Sequence, residues 1–395
     1  MRKACYLCLV LLLSGCAALE SVKNFTGALF SSDDNLEPPR ELTDYSFALR
    51  IDDLWRERVG DGYAGQDVRL IASVADDVVF AASHDGLVQA RQLRTGDLLW
   101  ETDTDLALCG GPGVGRDTVI FGTDDAEVVA LDRQTGKVRW KTAVTSEVLS
   151  VPVVDRGRVF VRSTDGRLIA LEEDTGRELW SIERSMPALS IRGSGSPSVQ
   201  DGIVYAGFAN GKLTALDGAS GKMLWETSVA IPHGRSEVDR IVDLVVEPIV
   251  HDGVVYIAAV QGGTVAALAQ DGDILWRNEA ISSHAGLAHD GYSLYVTDGQ
   301  SDVWQLDLRQ GAALWKQDEL HQRGLTAPAV GDDYLVVGDF EGYLHWLAVE
   351  DGRQLARVRV TRDALRARPV ITDQGIVVVY AKNGTLAAYR LGGVE

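Results

Sequence analysis

Cysteine is scarce in this chain, with four among 395 residues. Cys5 and Cys8 lie in an apolar N-terminal run with the features of a removable leader, and Cys16 follows directly after it. Cys109 is therefore the one thiol left for a folded domain, and a single thiol cannot form an internal disulfide. A buried core has to stabilise the fold instead, and a chain of this length can supply one.

Basic residues are also in the minority, since 38 lysines and arginines stand against 57 aspartates and glutamates. The formal net charge of −19 excludes a general affinity for nucleic acid, which requires lysine and arginine to neutralise phosphates. Anionic lipid surfaces should repel the chain for the same reason. The charge otherwise serves to keep a protein in solution, and it carries no information on the fold.

The N-terminus has the pattern of a bacterial lipoprotein signal. Two basic residues precede an apolar run, Ala4 to Leu13, which is too short to span a bilayer and has the length of a secretory leader. The run ends in Leu-Ser-Gly-Cys at positions 13–16, which resembles the lipobox of bacterial lipoproteins. In that motif the cysteine is lipidated and becomes the first residue of the mature protein.

We therefore expect a lipoprotein signal peptide over residues 1–15 and a lipid on Cys16. The lipid would hold the protein at a membrane without a spanning segment. Residue 17 is alanine rather than aspartate, which by the sorting rule of bacterial lipoproteins implies the outer membrane. An ordinary signal peptide with an incidental cysteine is the alternative.

Tryptophan recurs along the chain with a nearly regular spacing. It stands at positions 55, 100, 140, 180, 225, 276 and 315, so the gaps run from 39 to 51 residues. Self-similarity with a period of about 40 to 45 residues is typical of a β-propeller. The flanking text repeats as well, as in VVALDRQTGKVRW (128–140) and LTALDGASGKMLW (213–225), although LHWLAVEDGRQLA (344–356) has Ala356 in the tryptophan position.

Each repeat divides into four short strands with alternating apolar residues, joined by an Asp-x-x-Thr-Gly type of hairpin turn. The tryptophan would lie on the outermost strand and pack between neighbouring blades. Seven repeats are complete, and an eighth ends before its outer strand. The segment 51–59 carries Trp55 in the matching frame and can supply that strand, which removes an open sheet edge.

The sequence thus predicts an all-β fold over residues 51–395. It is an eight-bladed β-propeller of four-stranded antiparallel blades, closed by the N-terminal strand joining the C-terminal blade. Residues 16–50, with adjacent prolines and a Ser/Asp cluster, would form the lipidated N-terminus and a tether.

Motifs for catalysis or cofactor binding are weak. The glycine-rich GGPGVGRD (110–117) is not followed by a predicted helix, which a phosphate-binding loop requires, so we interpret it as a turn. His284 and His289 lie five residues apart in a turn-rich stretch, which is a poor spacing for zinc. We therefore predict no catalytic residue, no metal ligand and no cofactor.

Two long gaps interrupt the repeat, 45 residues from Trp180 to Trp225 and 51 residues from Trp225 to Trp276. The extra residues fall in 185–196 and 231–245, each between an outer strand and the next inner strand. Such connections share one face of a propeller, so the two should form one raised patch. It would contain Leu189, Ile191, Leu244, Arg192, Arg235, Arg240, Glu237, Asp239 and Asp243. Apolar groups mixed with arginine favour a protein-binding surface, and two solvated loops packed on each other are the alternative.

The lipobox, the eightfold repeat and three stretches together resemble the BamB lipoprotein family of the outer-membrane β-barrel assembly machinery. The stretches are LSIRGSGSP (189–197), SEVDRIVDL (236–244) and LTAPAVGDDYLVVGDFEGYLHWLAVEDGR (325–353). The resemblance covers essentially the whole mature chain. It implies a non-enzymatic scaffold that faces the periplasm and binds the POTRA domains of BamA within the assembly complex. Unfolded outer-membrane proteins would be further partners.

The resemblance also implies which residues make the contact. The L-x-L-R-G loop of the family corresponds to Leu189, Ile191 and Arg192, and its D-x-D segment corresponds to Asp243, with Val245 in place of the second acid. Asp239 and Arg240, from the same raised patch, complete the candidate set.

Two other functions are compatible with a propeller of this kind. The repeat is similar to that of quinoprotein dehydrogenases, which hold a quinone, a calcium ion and a pair of adjacent cysteines. This chain has no adjacent cysteines, which argues against a dehydrogenase. A propeller that binds a carbohydrate or peptide of the cell wall is the second alternative.

Overall fold

The computed structural model describes residues 37–187, 189–191, 195–235 and 240–392, and within these ranges it contains β-strands and no helix. No helix in this part of the chain could therefore cross a membrane. The chain divides into two units, Met1–Pro39 and Arg40–Glu395. The first contributes only residues 37–39 to the described part, without regular structure, and the second contains all the strands. The predicted signal peptide and Cys16 lie outside the described residues.

The second unit begins with β1 (Ile51–Arg58) and the short β2 (Arg69–Leu70). The blades follow in chain order, and each runs from the centre of the ring outwards. Blade 1 comprises β3 (Ser73–Ala75), β4 (Val78–Ala82), β5 (Leu87–Gln92) and β6 (Leu98–Asp103). Blade 2 comprises β7 (Leu108–Val114), β8 (Thr118–Thr123), β9 (Glu127–Asp132) and β10 (Val138–Ala143). Blade 3 comprises β11 (Val153–Asp155), β12 (Arg158–Arg162), β13 (Arg167–Glu172) and β14 (Glu178–Glu183). Blade 4 comprises β15 (Ser198–Gln200), β16 (Ile203–Gly207), β17 (Lys212–Asp217) and β18 (Met223–Ser228).

The second half of the ring repeats the same order. Blade 5 comprises β19 (Ile249–His251), β20 (Val254–Ala258), β21 (Thr264–Leu268) and β22 (Ile274–Asn278). Blade 6 comprises β23 (Gly286–His289), β24 (Ser293–Thr297), β25 (Val303–Asp307) and β26 (Ala313–Gln317). Blade 7 comprises β27 (Ala329–Val330), β28 (Tyr334–Gly338), β29 (Tyr343–Ala348) and β30 (Gln354–Arg359). Blade 8 comprises β31 (Val370–Ile371), β32 (Ile376–Tyr380), β33 (Thr385–Leu391) and, as its outer strand, β1.

The N-terminal strand closes the ring, as the sequence predicts. β1 pairs antiparallel with β33, from Ile51 opposite Leu391 to Arg58 opposite Thr385. The chain therefore starts and ends in the same blade, and no blade edge is left open at the junction. The predicted eight-bladed propeller of antiparallel blades is confirmed.

Seven of the eight outer strands carry a tryptophan that connects the strand to the next blade. In blade 3, Trp180 donates its indole N–H to the carbonyl of Gly218, at the hairpin turn of blade 4, over 3.1 Å. Gly221 in that turn has a φ of +71° and lies against the indole, so that a Cβ there would be 2.6 Å from Trp180 Cδ2. The equivalent indole bonds, of 2.7 to 3.0 Å, are made by Trp55, Trp100, Trp140, Trp225, Trp276 and Trp315.

The position of Ala356 explains why one tryptophan is missing. A tryptophan there would reach for the turn between the two outermost strands of blade 8. Blade 8 has no such turn, because its outer strand comes from the other end of the chain. The exception to the repeat therefore marks the closure of the ring.

The hairpin turns show the predicted side-chain chemistry. Asp132 Oδ1 accepts hydrogen bonds from the backbone N–H groups of Gln134 and Thr135, at 3.2 and 2.9 Å, and from Thr135 Oγ1 at 2.8 Å. Gly136 completes the turn with a φ of +71°. The short polar side chains thus satisfy the backbone donors of the turn.

From the sequence we interpreted the glycine-rich stretch GGPGVGRD as a turn, and for most of the stretch this interpretation is wrong. Residues 110–114 belong to β7, the inner strand of blade 2, and β2 pairs with this strand in parallel as a fifth, innermost strand. Glycine is needed because the neighbouring backbone is very close. A Cβ on Gly110 would lie 2.4 Å from the carbonyl oxygen of Val148 in the connection to blade 3.

Residues 40–50, within the predicted tether, lie against the rim of blades 6 and 7. The backbone N–H groups of Ala48 and Leu49 donate to the carbonyl of Leu355 on β30, at 2.8 and 3.2 Å. At the other end of the segment, Arg323 Nη1 donates to the carbonyl of Arg40 at 3.0 Å. The segment therefore covers the outer edge of blade 7.

Candidate partner-binding site

The two irregular connections meet on the propeller. The first runs from β14 to β15 and the second from β18 to β19. We call residues 184–187 and 189–191 of the first the 184–191 loop, and residues 240–248 of the second the 240–248 segment. The backbone N–H of Ile191 donates to Asp243 Oδ2 at 2.6 Å. Beyond the gap in the first connection, a Cβ on Gly195 would lie 2.8 Å from the carbonyl of Val246. The structure thus joins the two insertions that the spacing of the tryptophans singles out.

Apolar side chains are exposed along these connections. Leu189 and Ile191, both candidate contacts, are 42% and 38% exposed. Met186 and Ile231, which the sequence argument does not select, are 37% and 63% exposed. Large apolar side chains clustered on the surface are typical of protein-binding sites. The connections therefore carry more exposed apolar side chains than the family motif contains.

Asp243 and Leu244 lie beneath this surface, although the sequence argument placed both on the raised patch. Asp243 is 1% exposed and Leu244 is fully buried. Leu244 packs into the apolar cluster between blades 4 and 5, where it fills the space above Gly207. The local pattern of charged and apolar residues does not show this, because the groups that bury Asp243 and Leu244 come from other parts of the chain.

The remaining candidates divide between exposed residues and residues outside the described part. Arg235 and Arg240 are exposed. Arg192, Glu237 and Asp239 lie outside the described residues. The proposed contact therefore rests here on Leu189, Ile191 and the groups that hold them.

Two arginines hold the 240–248 segment, and sequence reasoning missed both. Arg162, the last residue of β12 in blade 3, donates from Nη1 to the carbonyl of Leu244 at 3.3 Å. Arg69, in β2 at the centre of the ring, donates from Nη1 to the carbonyl of Val245 at 3.3 Å. A signal for Arg162 exists in the repeat, because the matching strand ends of most other blades carry small residues: Ala82, Gly207, Ala258, Thr297 and Gly338.

The electrostatics around Asp243 reflect its position under the loop. Burial raises the pKa of this carboxyl, while the N–H of Ile191 and the charge of Arg162 act in the opposite direction. Burial likewise lowers the pKa of the Arg162 guanidinium to about 10, and the Asp243 carboxylate opposes that shift. Each group thus stabilises the charged form of the other in a site that water hardly reaches.

Metal-ligating residues are not brought together in the described ranges. No group of three or more His, Cys, Asp or Glu in them could hold a metal ion. His289 stacks on His251, with ring centroids 4.6 Å apart, rather than pairing with His284. Cys109 is buried, and burial raises the pKa of its thiol, so it is not a reactive thiolate.

Comparison with known proteins decides the family. The model of the family described as "Outer membrane protein assembly factor BamB" matches residues 84–317 and 306–392. The chain belongs to the BamB family. The resemblance seen in the sequence is thereby confirmed, and the function of the protein is in outer membrane protein assembly.

Members of the BamB family from several bacteria align along most of this chain. The outer membrane protein assembly factor BamB of Pseudomonas aeruginosa is 45% identical, and the alignment covers 90% of this chain and 93% of that one. The protein of the same name from Alkalilimnicola ehrlichii is 47% identical, with 89% and 91% covered. That of Escherichia coli K12 is 34% identical, with 95% of each chain covered.

Solved structures agree on the fold. BamB from Moraxella catarrhalis superimposes with a TM-score of 0.78 at 24% identity, covering 86% of this chain and all of that one. The quinohemoprotein alcohol dehydrogenase of Comamonas testosteroni has a TM-score of 0.68 at 14% identity, covering 87% of this chain and 77% of that one. The similarity to the dehydrogenase shows a shared propeller, as the repeat in the sequence suggests, and it says nothing about chemistry.

Proposed function

We propose that this BamB-family protein is a non-enzymatic scaffold that binds the periplasmic POTRA domains of BamA through Leu189, Ile191 and the neighbouring Arg192, Asp239 and Arg240. The observation that carries the proposal is the hydrogen bond from Ile191 N–H to Asp243, which holds exposed apolar side chains on a second connection. A contact surface held in one conformation loses less entropy when a partner binds.

The proposal assigns different roles to the two halves of the candidate set. Leu189 and Ile191 are exposed and can enter an apolar pocket of a partner. Asp243 is buried, so it acts through the loop backbone rather than by touching the partner. Val245, which replaces the second acid of the family motif, contributes its carbonyl to Arg69. A side-chain charge is not needed for that contact.

We further propose that a lipid on Cys16 holds the propeller at the outer membrane with its binding loops in the periplasm. The support is the lipobox at 13–16 and Ala17, together with the membership of an outer-membrane assembly family. The propeller itself would then need no membrane-inserted element. Metabolic labelling with a fatty acid tests this directly, because Cys16→Ala should abolish incorporation while leaving the propeller folded.

Unfolded outer-membrane proteins are the second class of partner in this proposal. The outer strand ends each blade, and an extended client segment could add to such an edge. Leu98 and Leu99 on β6 are 48% and 50% exposed and lie along one of these edges. Blade 7 is a poor choice for clients, because residues 48 and 49 already bond its outer strand.

A binding experiment tests the main proposal. Ile191→Glu places a charge on the apolar surface and should weaken binding of purified BamA POTRA domains by at least about tenfold, as for a central interface residue. Leu314→Glu is the matched control, because Leu314 is 56% exposed on the outer strand of blade 6, away from both connections. Equal affinities of wild type and Ile191→Glu in biolayer interferometry would refute the assigned surface.

The enzymatic alternative has its own test. Purified protein would be mixed with the quinone cofactor and calcium and then assayed for a bound chromophore and for dye-linked alcohol oxidation. A scaffold gives neither signal. A stoichiometric chromophore with turnover would establish a dehydrogenase instead.

A further inference from the structure

Arg162 is exceptional within the repeat. It ends the second strand of blade 3, and its side chain is buried, with 2% of the residue exposed. The corresponding strands of blades 1, 4 and 5 end in Ala82, Gly207 and Ala258. Burying an arginine is costly unless its hydrogen bonds and its charge are compensated. A long cation at this one place therefore calls for a specific role.

The guanidinium of Arg162 reaches across blade 4. It stacks over the ring of Phe208, 5.1 Å from the centroid, in the turn that follows β16 of blade 4. Its Nη1 then donates to the carbonyl of Leu244 at 3.3 Å. One side chain from blade 3 thereby holds the backbone segment that leads into blade 5.

The same guanidinium lies close enough to act electrostatically on Asp243. Asp243 Oδ2 accepts the N–H of Ile191 at 2.6 Å. Its Oδ1 is buried and accepts no hydrogen bond in the described part of the chain, so the N–H of Ile191 and, to a smaller extent, the charge of Arg162 compensate this carboxylate. The contacts therefore run from Arg162 to the carbonyl of Leu244, and from the adjacent Asp243 to the backbone N–H of Ile191.

A second arginine, Arg69, holds the same 240–248 segment from the centre of the ring. Arg69 lies in β2, which is paired with the inner strand of blade 2, and its Nη1 donates to the carbonyl of Val245. Gly195, at the far end of the first connection, packs against the backbone of Val245 and Val246. Residues 243–245 are thus held from two blades and in turn hold both ends of the first connection.

We propose that Arg162 is a positioning residue for the partner-binding surface: it holds the backbone at Leu244, so that the adjacent Asp243 fixes Ile191, and it does not touch the partner. This inference rests on the proposed function and deepens it. A buried anchor that selects one loop conformation lowers the entropy lost when the surface is occupied. Lysine would supply the charge but not the planar group that stacks on Phe208 while reaching Leu244, so Arg162→Lys should restore the function only in part.

The first test measures the loop without any partner. Hydrogen exchange followed by mass spectrometry should show faster exchange of the peptide covering 185–196 in Arg162→Gln than in wild type. Peptides covering β29 of blade 7 should not change. Arg158→Gln, at the other end of the same strand, is the matched control and should leave the 185–196 peptide as in wild type. Faster exchange in all blades of Arg162→Gln would mean a general loss of stability and would overturn the proposal.

The second test measures binding to the BamA POTRA domains. Arg162→Gln should weaken binding about tenfold, Arg162→Lys by less, and Arg158→Gln not at all. In an Ile191→Ser background, Arg162→Gln should have little further effect on binding. The Ile191 side chain, which Arg162 is proposed to position against the partner, is already missing in that background. Undiminished binding by Arg162→Gln would overturn the inference.

The outcomes separate the inference from the proposed function. If wild type itself does not bind the POTRA domains, the proposed function fails. The exchange result then still decides whether Arg162 holds the loop, since that measurement needs no partner.

Discussion

Replacing Gly221 by alanine tests the contact that joins neighbouring blades. Gly221 has a φ of +71°, and a Cβ would lie 2.6 Å from Trp180 Cδ2 and 2.8 Å from its Cε3. Gly157, in the hairpin between β11 and β12, has a similar φ of +74° but has open space within 4 Å of a Cβ. The two positions share the backbone penalty and differ in the contact with tryptophan.

The magnitudes follow from these two terms. Alanine in the left-handed region costs about 1 to 2 kcal/mol at either position. Forcing a methyl group against a packed indole adds about 1 to 3 kcal/mol at Gly221 alone. We therefore expect Gly221→Ala to lower the free energy of unfolding by about 2 to 5 kcal/mol, and Gly157→Ala by about 1 to 2 kcal/mol.

Urea unfolding at 25 °C, followed by near-ultraviolet circular dichroism, measures both variants. In a Trp180→Ala background the steric part should vanish, so that Gly221→Ala then costs no more than Gly157→Ala. Equal losses for the two single variants in the wild-type background would refute the idea that glycine is required by the neighbouring indole.

Two further predictions concern buried charges. Burial raises the pKa of Asp243 above its ordinary value of 3.8, so the native protein retains a proton that the unfolded chain has released. Stability should therefore fall as pH rises above about 3.8 towards the raised pKa, and Asp243→Asn should remove this part of the pH dependence in urea titrations. In blade 7, Arg323 donates from Nε and Nη2 to the fully buried Asp339, at 2.9 and 2.8 Å. Arg323→Gln should destabilise the fold by about 3 to 5 kcal/mol, because it removes two hydrogen bonds and the neighbouring positive charge from that buried carboxylate, whereas the exposed Arg353→Gln should change little in the same assay.

The ring was predictable because it is built from a local pattern that recurs. The tryptophan spacing, the Asp and Gly of the turns and the alternating apolar residues each specify a strand or a hairpin within a few residues. Even the exception at Ala356 could have been located, since only the last complete blade precedes a blade that lacks an outer hairpin turn. The stretch GGPGVGRD was misjudged because its glycines serve the close approach of distant backbone rather than a turn.

The site was predictable only in outline. The lengths of the two irregular connections locate it, because an insertion between blades must emerge on the surface. Which of its residues face outwards depends on what lies over them. In sequence Asp243 and Leu244 resemble their neighbours, yet both are buried: Asp243 bonds the backbone of the first connection, and Leu244 packs between blades 4 and 5.

The sequence by itself determined the repeat and the place of the irregular connections, because each of these depends on residues close together in the chain. It also predicted the lipoprotein signal from a local motif, and it predicted the closure of the ring because Trp55 repeats the local frame of an outer strand. Only the tertiary structure decided that Arg162 and Arg69, 82 and 176 residues away from the carbonyls they bind, hold the 240–248 segment in place. Such contacts arise when the blades are assembled side by side, and no local pattern encodes the distance they span.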